Sequence, residues 1–277
     1  MSDISVVICV RNAGKTIEEC LKFVEKNNPS EIILIDGESS DDTVELARRH
    51  TDKIFSDKRR GLGYARQLGA EKAGSKYVAY VDSDVILTPD CLSIMVKELE
   101  ENGYAAIHAQ LLCLDDSNYW ERSHEQYIKI TFNRLGERNW IGAVAAVFKR
   151  DVILQNSFDP FFKGAAEDMD LSLRLGRKGF RLGISTAYAY HRHRNSAKDF
   201  VKQRIWYGRG GARLFWKYKS LIFLLGLIGI IPYGVFLSIK NRSPGMLPYY
   251  VIWSIARNIG FVTEMAQLIL QRIILRR

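Results

Sequence analysis

Cysteine is scarce in this 277-residue chain: Cys9, Cys20, Cys91 and Cys113 form no CxxC pair and no Cys/His cluster with metal-ligand spacing. That excludes a disulfide-stapled miniprotein and reads as reduced core residues in a cytosolic compartment. Internal repeats and low-complexity linkers are absent, which excludes a fibrous array. A secretory leader is not expected, since Asp3 stands where a basic region belongs and Arg11 interrupts the first apolar run. Acidic side chains nearly vanish from the last third. From His191 onward only Asp199 and Glu264 face 15 lysines and arginines, a net +13, whereas the first 190 residues hold 25 basic and 29 acidic residues, a net −4. The overall +9 therefore divides into an ordinary soluble domain and a tail suited to something anionic, a membrane surface or a polyphosphate. With 47% hydrophobic residues disorder is excluded, and the length allows one large α/β domain with an appendage.

What is there alternates short apolar β-rich runs with helical patterns, as in an open, largely parallel α/β sheet. Strands are expected at Ile4 to Val10, Glu31 to Ile35, Lys53 to Phe55, Tyr77 to Val81 and Ala105 to Leu114, with a further run at Ile141 to Phe148. Thr16 and Glu19 make a capping box for a helix that turns Ile17, Leu21 and Val24 inward, and Ser40 is placed to cap a helix over 41–50. Further helices are expected at Gly61 to Ala73, after Thr88-Pro89, near Tyr119 to Leu135, and from Ala166-Glu167-Asp168 to Gly179. In such sheets ligands bind beyond the carboxyl ends of the strands, so Arg11, Asn12, Asp36, Asp82 and Asp84 are the first suspects.

Asp82-Ser83-Asp84 is the sharpest feature. On an extended segment residues i and i+2 project to the same side, so both carboxylates can face one ligand. Oxygen donors so arranged suit Mg²⁺ or Mn²⁺ bridging a diphosphate, although the same three residues also suit an ordinary turn. Glu167-Asp168 pairs two carboxylates at a helix start, where the dipole alone would favour them.

Five segments in order resemble the family 2 glycosyltransferases: "ISVVICVRNAGKTIEECL", "IILIDGESSDDT", "GLGYARQLGAEKAGSKYVAYVDSDVILTPDCL", "WIGAVAAVFKRDVI" and "EDMDLSLRLGRKGFRLG". The resemblance implies a GT-A fold, a mixed, mostly parallel sheet with helices on both faces, followed by C-terminal hydrophobic helices, and a nucleotide-diphosphate sugar as donor. It implies Arg11 and Asp36 at the base and ribose, Arg66 helping to hold the nucleotide, Asp82 near the ribose and Asp84 on the metal. Asp168 would be the general base, and Glu167 its neighbour positioning the acceptor. His191 would complete the metal shell, with a solvated basic segment as the alternative. Gln203, Arg204 and Trp206 of "QRIWYGRG" would approach the diphosphate or acceptor, while Trp206, Tyr207 and Trp216 equally suit an aromatic belt at a membrane. One departure is Asp36-Gly37, where many members have two adjacent aspartates.

The tail carries nine cations between His191 and Lys219 and then 19 uncharged residues, Leu221 to Ile239, about the length that spans a bilayer. A second apolar stretch, Leu247 to Leu275, contains Arg257 and Glu264 and reads as an interfacial or a packed membrane helix. The basic flank puts the catalytic domain, residues 1–215, in the cytoplasm, with residues 216–277 on the membrane as a crossing or a hairpin that returns Arg276-Arg277 to the same side. Nucleic acid is not expected as a partner, because the apolar run does not suit a DNA-binding arm. The reading is an inverting, Mg²⁺- or Mn²⁺-dependent transfer to a hydroxyl of a lipid-linked or polymeric glycan, or to a polyprenyl phosphate. The rivals are a sugar nucleotidyltransferase, which would want a fuller phosphate loop than "RNAGKT", and a non-catalytic membrane adaptor.

Overall fold

The computed structural model describes residues 3–274. Nine strands form one sheet: β1 (Ile4–Val10), β2 (Glu31–Asp36), β3 (Ile54–Ser56), β4 (Tyr77–Val81), β5 (Val85–Leu87), β6 (Ala106–Cys113), β7 (Gly136–Arg138), β8 (Ala145–Lys149) and β9 (Leu182–His191). The helices are α1 (Ile17–Glu25), α2 (Thr43–Ala47), α3 (Leu62–Lys72), α4 (Cys91–Glu101), α5 (Tyr119–Thr131), α6 (Arg150–Gln155), α7 (Glu167–Arg177), α8 (Ala197–Tyr218), α9 (Leu221–Ile228), α10 (Ile230–Lys240) and α11 (Leu247–Ile274). Leu275, Arg276 and Arg277, where the tail was expected to end, lie outside the described residues.

The strand order is β3-β2-β1-β4-β8-β6-β9-β5, with β7 on β9. The sheet is evenly mixed rather than mostly parallel. β1 runs parallel to β2 and β4, as β2 does to β3 and β6 to β9. The other four pairings, β4·β8, β6·β8, β5·β9 and β7·β9, are antiparallel. The reversal comes from β8, which inserts between β4 and β6, and local apolar pattern carries no information about that insertion.

Period-2 alternation gives the sheet two cores. Val6, Ile8 and Val10 of β1 pack with Ile17, Leu21 and Val24 of α1 and Leu92, Met95 and Leu99 of α4, while Val7 packs on the other face with Ala65 and Ala70 of α3 and Leu171 and Leu175 of α7. Helices thus cover both faces. The expected caps differ. The Thr16 hydroxyl accompanies no side-chain cap bond on α1, and Ser40 donates to the Asn12 side chain instead of capping α2, whose N-cap is Asp42.

The chain divides into two compact units: Met1–Asp115, Glu125–Lys163 and Glu167–Arg192 in the first, and Asp116–His124, Gly164–Ala166 and His193–Arg277 in the second. In the second, α8 and α11 run parallel. Phe200 meets Tyr249 and Arg213 meets Glu264, and a side chain at Gly208 would strike the Arg257 carbonyl, as one at Gly260 would strike that of Ile205. Glycine at both positions lets the two backbones touch, so Glu264 of α11 falls inside, where it accepts from Arg213 Nε at 2.7 Å. Among the described residues no single helix is long and apolar enough to cross a membrane, and the run Leu221 to Ile239 is broken at Gly229 into α9 and α10, bent by 53°.

Candidate active site

The first unit gathers its polar residues where strands end. β1 and β2 finish in register at Val10 and Asp36, and the loops beyond them are tied together. Asn12 donates its N–H to the Ser39 hydroxyl at 2.9 Å and accepts from the Ser40 N–H at 2.9 Å. Buried Asp36 accepts from the Ser39 hydroxyl at 2.6 Å. Arg11 is exposed above this pair of loops. A Cβ on residue 37 would lie 3.2 Å from the Arg11 Cβ, so glycine there leaves the room that the arginine stem occupies.

Beyond β4, Asp82-Ser83-Asp84 forms a tight turn, the Val85 N–H donating to the Asp82 carbonyl at 3.1 Å, and β5 follows at once. β5 pairs with the end of β9 so that Val85 stands opposite His191. This register, unforeseen in the sequence, sets His191 Nε2 3.3 Å from Asp84 Oδ1. Burial raises the Asp82 carboxyl to about 6, with Arg66 opposing and the like charge of Asp84 adding to the rise. Asp84 sets a carboxylate oxygen beside an imidazole nitrogen, two donors that suit Mn²⁺ or Mg²⁺, with Asp82 next to them held by Arg66.

Arg66 joins this corner to the start of α7. It is only 3% exposed, and its Nη2 donates to Asp82 Oδ1 at 3.1 Å and to the Ala143 carbonyl at 3.2 Å. Its Nη1 binds Glu167 Oε1. The guanidinium expected on the nucleotide is thus committed to carboxylates inside the domain. Three close approaches bring it there: a Cβ on Gly69 would strike Val7, one on Gly61 would strike Lys163, and one on Gly63 would lie 3.0 Å from the Phe162 carbonyl. Gly61 also has φ of 102°, a conformation only glycine adopts freely. Burial pushes the Glu167 carboxyl above its ordinary range, opposed by Arg66. Its Oε2 is buried without a hydrogen-bond partner among the described residues.

Asp168 is half-buried, and its Oδ1 accepts from the Met169 N–H at 2.7 Å. Its Oδ2 lies 3.6 Å from where a Cβ on Gly142 would stand, and His108 Nε2 is also 3.6 Å from that point. Sequence reasoning missed His108, a lone histidine on a strand, because only the β6·β8 register delivers it here. Its Nε2 accepts from the Ala145 N–H at 3.3 Å and its Nδ1 faces the Ala109 carbonyl at 2.5 Å, while burial lowers its pKa to about 4. The ring is therefore neutral, with its proton on Nδ1.

The second unit holds the other three expected residues. Arg204 is 2% exposed and turned into an aromatic cage, 4.2 Å from the Trp253 ring centre and 4.6 Å from that of Phe200. Its Nη2 donates to Gln203 Oε1 at 3.1 Å, and its Nε has no hydrogen-bond partner. The arginine expected near the diphosphate or acceptor thus lies inside this unit, caged by rings. Trp206 remains 39% exposed beside Tyr207.

Residues 5–153 match the family model described as Glycosyl transferase family 2. An uncharacterized glycosyltransferase of Rickettsia conorii is 35% identical over 111 residues, 38% of this chain and 18% of that protein. An uncharacterized glycosyltransferase of Escherichia coli is 28% identical over 227 residues, 72% of this chain and 64% of its own length. The chain thus spans less than two thirds of these relatives. A mannosyltransferase of Pyrobaculum calidifontis, solved with GDP-Man and Mn²⁺, superposes with a TM-score of 0.65 at 16% identity, covering 94% of this chain and 87% of that one. At that identity the likeness is one of fold.

Proposed function

The chain belongs to glycosyl transferase family 2, and we propose that it moves a sugar, with inversion, from a nucleoside-diphosphate donor to an acceptor hydroxyl on a lipid-linked or polymeric glycan. The observation that carries this is the continuous chain of groups from Asp84 and Asp82 through Arg66 to Glu167 and Asp168.

Asp84 and His191 would hold Mg²⁺ or Mn²⁺, as the Mn²⁺ of the superposed mannosyltransferase supports. When bound, such an ion neutralises charge on a departing diphosphate. Arg11 and the Asp36 loop take the nucleoside end. Asp168, with Oδ2 near Gly142, takes the proton of the acceptor hydroxyl as the new bond forms, and a single displacement from the face opposite the leaving group inverts the anomeric carbon. Glu167 acts beneath it: one oxygen is fixed by Arg66 and the other, without a partner, can accept from the acceptor. A polyprenyl phosphate acceptor is already ionised and would leave Asp168 without a task.

Membrane association is the second part of the proposal. α9, α10 and α11 expose Leu221, Ile228, Phe236, Ile239, Val262 and Ile274, more apolar side chain than a soluble surface carries in one region. The cations before α9 favour the anionic cytoplasmic leaflet, which supports a cytoplasmic catalytic unit.

The test is Asp168→Asn assayed with a panel of nucleotide sugars. Turnover should fall by about 10²–10⁴-fold while Mn²⁺-dependent thermal stabilisation by the donor persists. Turnover equal to wild type removes Asp168 from the reaction.

A further inference from the structure

The apolar surface of the second unit is striped. α11 exposes Val251, Ile255, Val262, Ile269 and Ile273 on one face, and buries Trp253, Gly260, Glu264 and Leu268 on the other. A helix that crosses a bilayer is apolar all round, whereas one with a packed, charge-bearing back and an apolar front lies along an interface. The buried Arg213–Glu264 pair makes α11 the second kind.

At one end of this stripe is a groove of about 420 Å³ lined by Trp216, Ile269, Arg272 and Ile273. Lys219 Nζ stands 4.0 Å from the centre of the Trp216 ring, and the Arg272 guanidinium stands 5.7 Å from it. Lys219 is held in position as the left-handed cap of α8, its N–H on the Phe215 carbonyl at 2.8 Å. The groove therefore offers one exposed cation, Arg272, beside an indole on which a second, Lys219, stands, with isoleucines as its apolar floor. That is the complement of an amphiphile with an anionic head: phosphate to the cations, glycerol edge to the indole, and acyl chain along Ile269 and Ile273.

We propose that Trp216, Lys219 and Arg272 form a headgroup seat for an anionic phospholipid of the bilayer along which α11 lies. The seat rests on the membrane reading above, and it makes that reading specific, since it fixes one lipid class and one end of the apolar stripe.

Full-length protein is co-sedimented with phosphatidylcholine vesicles and with vesicles that also contain phosphatidylglycerol. Wild type should prefer the anionic vesicles. Lys219→Ala/Arg272→Ala should cut that preference about thirtyfold, and by clearly more than Lys240→Ala/Arg242→Ala, which removes the same charge outside the groove. Trp216→Ala, which removes no charge, should cut it about fivefold. Equal losses from the two charge pairs, with no loss from Trp216→Ala, overturn the seat and leave membrane association standing. Wild type that sediments with neither vesicle overturns both. Should Trp216→Ala fail to fold by circular dichroism, Ile273→Ser, on an exposed groove side chain and equally without a change of charge, carries the same comparison.

Discussion

Each unit of the molecule buries one arginine almost completely, and the two are buried by opposite means. Arg66 is met by two carboxylates and a carbonyl; Arg204 is met by rings, one amide and the imidazole of His124. The first arrangement is what a site needs when it must hold several acids together, since an unpaired buried carboxylate is costly. In the second, no carboxylate accepts from the guanidinium, which behaves as a flat, polarisable core residue. The same residue type thus serves electrostatics in one unit and packing in the other.

The comparison can be broken from either side. Arg66→Met should cost the most, about 3–5 kcal/mol of unfolding free energy, because it leaves Asp82 and the buried Glu167 without their counter-charge; a denaturant titration showing less than about 1 kcal/mol would mean that the acids are satisfied otherwise. His108 comes next. Its folded pKa, about 4, lies below its ordinary value, so the unfolded state binds the proton first. The contribution of His108 to stability should be complete above about pH 6.5 and be lost as pH drops from there towards 4, by about 3 kcal/mol in all. His108→Gln should flatten that limb of the melting profile relative to wild type. Arg204→Met should have the smallest effect, within about 1 kcal/mol, since a side chain of similar volume keeps the ring contacts and strands no acid. A loss as large as that of Arg66→Met would show that the cage is electrostatic after all.

The parallel half of the sheet was readable because β1, β2 and β4 are uninterrupted apolar runs ending in polar residues, and the polar ends are where the site is. β5 and β9 were not. β5 has three residues, and β9 gains its meaning only by pairing β5 on one side and β6 on the other. Asp84 and His191 could be named as a pair from the family resemblance, but the register that joins them is a long-range fact. The sequence names Arg66 but does not pair it with Asp82 and Glu167, the two carboxylates that meet it. The sequence shows a lone arginine in a glycine-bearing helix, and only the close packing of Gly61, Gly63 and Gly69 reveals that the helix sinks far enough to bury it. The motif around Gln203, Arg204 and Trp206 carries no record of α11, whose Trp253 stacks on the Arg204 guanidinium and whose backbone meets Gly208.

The order in which the chain is made also bears on these contacts. Arg66 and Glu167 are 101 residues apart in sequence, and the strand that sets His191 beside Asp84 is the last of the nine. Contacts of such separation form late, since loop-closure entropy must be met before they reward it. A chain emerging from the ribosome therefore carries the Asp36 loop and the Asp82-Ser83-Asp84 turn well before it owns a base or the histidine opposite Asp84. Closure of the sheet by β9 is then the event that sets His191 beside Asp84, and a chain arrested before residue 182 would hold the Asp82-Ser83-Asp84 turn without the imidazole opposite it.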